Sequence, residues 1–109
     1  MDRTTFNQLV DETVEATARL LVVKSTEYAG GDDRLANFKR GALLTRLTPE
    51  QVALIYMAKH FDAIAIYVAN QAEGTLQVLS EPIEGRIHDL INYGFLLKAL
   101  LAERENVSG

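Results

Sequence analysis

The sequence contains no cysteine. That absence excludes zinc ribbons, thiol nucleophiles, redox pairs and a disulfide framework, and nothing in the chain calls for an oxidising compartment. Histidine occurs only twice, which argues against a histidine-rich metal site. The first ten residues carry Asp2, Arg3, Asn7 and Gln8 instead of a basic stretch followed by an apolar run, so no signal peptide is expected. Long uninterrupted apolar runs are also missing: the longest candidate, Leu54 to Val68, is broken by Lys59, His60 and Asp62. A soluble, cytoplasmic protein with no membrane partner is the expectation.

What remains is ordinary for a globular chain, with 48% hydrophobic and 24% charged residues, which argues against wholesale disorder. Its 109 residues set one domain with one small core as the expectation, spanning residues 1–109 with a fraying tail at about 105–109. The net charge of −4 and the lack of a recognition helix rich in Arg, Asn or Gln argue against DNA as a partner. The charge is uneven, however. Between Lys24 and Lys59, six basic residues meet four acidic ones, so that segment is +2 and the remainder −6. A positive middle in an acidic protein suits a phosphate-bearing small ligand, and it equally suits a solvated surface.

Apolar periodicity predicts an all-α bundle of three long helices and one short one. Phe6, Leu9, Val10, Thr13, Thr17, Leu20 and Leu21 recur at helical spacing, which predicts an amphipathic helix over residues 4 to 28, stopped by the glycines and aspartates at 30–33. A short helix is expected from Asn37 to Arg46. Thr48-Pro49-Glu50-Gln51 then supplies an N-cap, a proline at the first helical position and a capping-box glutamine. The helix that follows, to about Gln71, is apolar on most of its circumference and is expected to be central. Ser80-Glu81-Pro82 reads as a second start signal for a helix running to about Arg104. Only Thr75 to Leu79 has any strand character. The apolar surface around Leu96 and Leu100 exceeds what one small bundle hides, which points to a homo-oligomer.

Five groups of residues are candidates for chemistry. Asp11, Glu12 and Glu15 resemble a magnesium-holding helix face, but they fall opposite the apolar stripe and read as solvated. Lys24, Glu27 and Tyr28 continue the apolar stripe. Lys24 contacts a phosphate and Tyr28 stacks on a base or sugar in the functional reading; a Lys24–Glu27 pair at i and i+3, with Tyr28 as a core rim, is the plain alternative. Asn37 is placed to cap the short helix, whose first amides, with Lys39 and Arg40, would face an anion; a capped loop anchored by Phe38 is the alternative. Lys59 and Asp62 share a face with Ile55 and Ile66, which predicts a buried ion pair, with His60 structural. Asp89 and Asn92 lie one turn apart and point into one interhelical space, where with Glu81, Glu84 and His88 they would ligate a divalent ion or orient a nucleotide. The competing expectation is an Arg86–Asp89 pair at i+3 with Asn92 bonding across an interface.

The order Lys24…Glu27-Tyr28, Asn37-Phe38, Lys59-x-x-Asp62 and then Glu81-x-x-Glu84-x-x-x-x-Asp89-Leu90-Ile91-Asn92-Tyr93 resembles the small phage proteins of the nucleotide-modification-associated, MazG-like group, over roughly residues 20 to 104. The resemblance implies a MazG-like all-α pyrophosphohydrolase bundle, a phage origin, and dimers or tetramers built around nucleotide clefts. Family enzymes bind magnesium with an acidic cluster on one helix and Glu-x-x-Asp on the next. Here Asp89 matches the aspartate, but Arg86 stands where the glutamate belongs, and a guanidinium repels magnesium and binds phosphate. Three expectations follow. The first is binding, with sequestration, of a nucleotide or cyclic nucleotide signal through its phosphates, with no cofactor required. Lys24, Lys59 and Arg86 would take charge, Tyr28 would stack, and Asp89 with Asn92 would fix sugar or base edges. The second is a magnesium-dependent nucleoside triphosphate pyrophosphohydrolase with Glu81, Glu84 and Asp89 on the metal. The third is a non-enzymatic helical interaction module.

Overall fold

A computed structural model describes residues 1–29, 31–75 and 78–108; the side chains of residues 25, 28, 29, 107 and 108 lie outside that description. Four helices follow one another: α1 (Arg3–Ala29), α2 (Ala36–Thr45), α3 (Pro49–Ala72) and α4 (Ile83–Ser108). No strand occurs among the described residues. Thr75, Val78 and Leu79 are irregular, Val78 is fully exposed, and the middle of the expected strand, Leu76 and Gln77, lies outside the described residues.

Local chemistry sets the helix ends. Thr48 has an extended backbone and its hydroxyl accepts from the Gln51 amide at 3.1 Å, while the Gln51 side chain accepts from the Thr48 amide at 2.9 Å. With Pro49 at the first position, α3 has the start that its sequence predicts. It ends at Gly74, whose φ of +74° is open to glycine at little steric cost. There the Thr75 amide reaches the Asn70 carbonyl at 2.9 Å and the Gly74 amide the Gln71 carbonyl at 3.1 Å, a Schellman closure.

The other boundaries correct the sequence reading. Asn37 does not cap α2. Leu35 occupies the cap position without a side-chain bond, and the Asp33 carboxylate takes the Leu35 amide at 3.0 Å instead. Arg46 is not helical but a left-handed cap at φ +61°, its amide on the Ala42 carbonyl. α4 begins at Ile83, after the Ser80-Glu81-Pro82 signal rather than within it: Pro82 disfavours helical backbone at Glu81, and its own carbonyl opens the first turn by accepting from Gly85. Helix continues to Ser108, through the segment expected to fray.

α3 and α4 form the most extensive helix pair, α2 lies on α3, and α1 rests on α4 with a lighter contact to α2; among the described residues the α-carbons of α1 and α3 come no closer than 8 Å. The core is small: Leu35, Phe38, Val52, Ala53 and Leu100 are buried, with Tyr93, Leu96 and Leu97 packed around them. Phe38 is wholly buried, edge-on to both Tyr56 and Tyr93 at 6.2 Å between centroids. α2 approaches α3 closely at Gly41, where a β-carbon would meet Val52 at 3.1 Å. Three ion pairs tie the ends together. Lys39 bridges Asp33 and Glu103, and the Arg104 guanidinium grips the Glu50 carboxylate at 2.8 and 2.9 Å.

The subunit is loosely filled. Its radius of gyration is 16.3 Å, against about 13 Å for a compact chain of this length. Its accessible surface is 8043 Å², against roughly 6,000 Å² for a monomer of this mass. Large apolar side chains contribute to it: Phe6, Leu9, Val10 and Val14 on the free half of α1, and Leu54, Ile55, Phe61, Ile66 and Val68 on α3, are all exposed. α3 is also long and apolar enough to cross a bilayer by length and composition alone, with Lys59, His60 and Asp62 at mid-length.

Since Phe38 fills the centre alone, Phe38→Ala is expected to cost about 3–5 kcal/mol, read as a shift in the midpoint of chemical unfolding. A loss below 1 kcal/mol would show that the core lies elsewhere.

Candidate functional site

A cavity of about 490 Å³ opens between α1 and α3, with α4 as its floor and the start of α2 closing one end. Each helix contributes at its own spacing. Leu21 and Lys24 come from one turn of α1, Asn37 and Phe38 from the first turn of α2, and Tyr56, Lys59 and His60 from one turn of α3; Asp89, Asn92, Tyr93 and Leu96 come from two turns of α4. Arg34, in the connection before α2, completes the lining. The gap exists because α1 and α3 are both held by α4 and not by each other.

Two buried polar residues of α4 join α1 to the body. Asp89 is only 8% exposed, and its carboxylate receives the Lys24 ammonium at 2.8 Å. Asn92, 6% exposed, donates through Nδ2 to the Thr17 carbonyl at 3.0 Å. Thr17 is itself buried, its hydroxyl folded back on the Thr13 carbonyl. The expectation that Asp89 and Asn92 enter one interhelical space is met. The expected Arg86–Asp89 and Lys24–Glu27 pairs are replaced: Arg86 holds Glu81 at 3.1 Å, and Glu27 is solvent-exposed. A carboxylate this deeply buried requires a close cation, and Lys24 from the facing helix supplies it.

The far wall is aromatic. Tyr56 and Tyr93 stack at 5.8 Å between centroids, 20° from parallel, and His60 lies against Tyr93 at 5.3 Å. His60 is half-buried, and that burial pushes its pKa below the ordinary histidine value, opposed by the Asp89 carboxylate and assisted by Arg86 and Lys24. A neutral imidazole at pH 7 follows. The expected buried Lys59–Asp62 pair does not form: both residues are exposed, and Ile55 and Ile66 on the same face are more than half exposed. Lys59 has no ion-pair partner among the described residues and borders the cavity, while Asp62 does not. Asp11, Glu12 and Glu15 are exposed as expected, Glu15 pairing with Arg19 at 2.6 Å.

Of the residues singled out in the sequence, the cavity therefore collects Lys24, Asn37, Lys59, Asp89 and Asn92, and leaves out Glu27, Asp62 and Arg86. The side chain of Tyr28 lies outside the described residues. Arg34, Tyr56, His60 and Tyr93 are additions. Tyr56 and His60 at i and i+4 did carry a signal, an aromatic pair on one face of α3, but their alignment with Tyr93 is a tertiary fact. Among the described residues no three His, Asp or Glu side chains come together as a metal site. Glu81 is committed to Arg86 and Asp89 to Lys24, so the set Glu81, Glu84 and Asp89 does not fit magnesium within one chain.

Lys39 and Arg40, expected near an anion, are not in the lining. Lys39 is held by Asp33 and Glu103, which raises its pKa, and Asp33 is lowered by Lys39 first and by the Leu35 amide second. Glu50 is lowered chiefly by Arg104.

Because the unfolded chain protonates His60 more readily than the folded one, stability falls as the pH drops from about 6.5 towards the lower folded value. The carboxylates with lowered pKa values withdraw their contribution only at more acid pH. The thermal midpoint is thus expected to decline between pH 7 and pH 5.5, and less steeply in His60→Phe. A midpoint equally steep in both proteins would contradict the burial of a neutral His60.

No family model matches this sequence, and no curated protein or solved structure compared with it shows significant similarity.

Proposed function

We propose that the protein binds a nucleotide or nucleotide-derived signal through its phosphates and holds it intact. The supporting observation is the composition of one cavity. Three cations, Lys24, Arg34 and Lys59, line it with a single carboxylate, Asp89, beside a wall made of Tyr56, Tyr93 and His60. Cations attract phosphate oxygens, and flat aromatic faces stack on bases of any identity. The volume falls within the usual range for small-molecule sites, about 300–1,000 Å³. Lys59 and Arg34 are the cations without a carboxylate partner among the described residues, so the phosphates belong at their side of the cavity. Asp89 repels phosphate, and its remaining lone pairs suit sugar hydroxyl groups.

Sequestration is favoured over hydrolysis because two of the three carboxylates that would hold magnesium, Glu81 and Asp89, are already paired with cations. Incubated with mono-, di- and triphosphates and cyclic dinucleotides, the protein is expected to gain thermal stability from at least one of them, with or without magnesium, and to return it unchanged on chromatography. Recovery as monophosphate and pyrophosphate, only with magnesium, would establish the pyrophosphohydrolase reading instead. Lys59→Glu is expected to weaken binding about tenfold or more, whereas Lys98→Glu, exposed and remote from the cavity, leaves it unchanged.

The binding unit we propose is a soluble homo-oligomer. About 2,000 Å² of surface beyond that of a compact monomer equals what each partner gives up in a large obligate dimer, and it is concentrated on α1 and α3. Light scattering of the purified protein is expected to give a mass of two or four times 12.1 kDa. A monomer, or recovery only in detergent extracts of membranes, would contradict it.

A further inference from the structure

Among the described residues, two buried side-chain polar atoms lack a protein partner, His60 Nδ1 and Asn92 Oδ1. Both residues line the same cavity and come from different helices. Leaving a buried polar atom unpaired is costly, and two such atoms beside one cavity point to a ligand that completes them.

The chemistry required is set by Asn92. Its Nδ2 is committed to the Thr17 carbonyl, a group that only accepts hydrogen bonds. The amide cannot turn around without setting two acceptors against each other, so Oδ1 faces its surroundings as an acceptor. A phosphate, which offers acceptors alone at neutral pH, does not satisfy it. Neutral His60 adapts to either kind of partner, since one ring nitrogen donates and the other accepts. Asn92 is also the most deeply buried polar residue of the lining, so the group that meets it belongs to the part of the ligand that enters furthest. Tyr93, the next residue, stacks there with Tyr56 and His60, which suits a flat ring and not a sugar.

Resting on the proposed nucleotide binding, we propose that Asn92 Oδ1 reads an N–H or amino group on the edge of the nucleobase, so that the site requires a donor-bearing base and not merely a phosphorylated one.

Matched ligands test this on the unaltered protein. ATP and GTP carry base donors, and purine riboside triphosphate keeps ring, sugar and phosphates but has none. CTP and 2-pyrimidinone riboside triphosphate make the corresponding pyrimidine pair. Calorimetric titration is expected to show a donor-bearing member binding about tenfold or more tightly than its donor-free analogue. Lys59→Glu should weaken both members and preserve their ratio, and Asn92→Leu, where it folds, should erase the ratio. Equal affinities within both pairs would overturn the base-edge inference and leave phosphate-driven binding standing. Binding of none of the five, together with no stabilisation by any mono-, di- or cyclic nucleotide, would overturn both.

Discussion

A polar clasp between α1 and α4 is the contact on which the cavity depends. Lys24 meets Asp89, and Asn92 meets the Thr17 carbonyl, so one turn of α4 holds two turns of an antiparallel α1. Among the described residues, no hydrophobic side chain of α1 is fully buried, and the α-carbons of α1 stay more than 8 Å from those of α3. Loss of the clasp would free α1 and with it one wall of the cavity. An apolar seam would pull α1 and α3 together, whereas a buried carboxylate and amide, satisfied from one side, hold them at a distance and keep polar groups beside the space between them.

The rest of the subunit is built around the other end of that space. Phe38 closes the floor against Tyr56 and Tyr93, and the same two tyrosines form the cavity's aromatic wall. Core and site therefore share side chains, which makes the wall rigid without enlarging the core. The consequence, among the described residues, is five buried hydrophobic side chains and two long helices with much of their apolar surface bare. The exposed apolar residues of α1 and α3 belong to the two helices that flank the cavity.

How much of this was legible in the sequence follows from the range of each interaction. The four helices, the Thr48–Gln51 capping box and the outward carboxylates at 11, 12 and 15 are settled within a few residues, and periodicity reads them. The shared space of Asp89 and Asn92 follows from i, i+3 spacing alone. Their partners do not: Arg86 is one turn from Asp89, yet the pair is made with Lys24, 65 residues away in sequence. Short-range rules failed where burial decides, because a buried carboxylate takes the cation that reaches it inside the bundle. They failed in the opposite sense at Lys59 and Asp62, whose apolar neighbours Ile55 and Ile66 predict a buried face that one subunit leaves open. The aromatic wall was missed because Tyr56 and Tyr93 lie on different helices, and no local pattern links them.

The central claim is that phosphates and base enter this one cavity. Amide chemical shifts of isotopically labelled protein, followed during titration with the nucleotide that stabilises it most, test it directly. The account predicts that the largest changes fall on residues 24, 34, 56, 59, 60, 89, 92 and 93, drawn from every wall of the cavity. Changes confined to the acidic outer face of α1 around residues 11–15, or spread evenly over surface lysines and arginines, would contradict it.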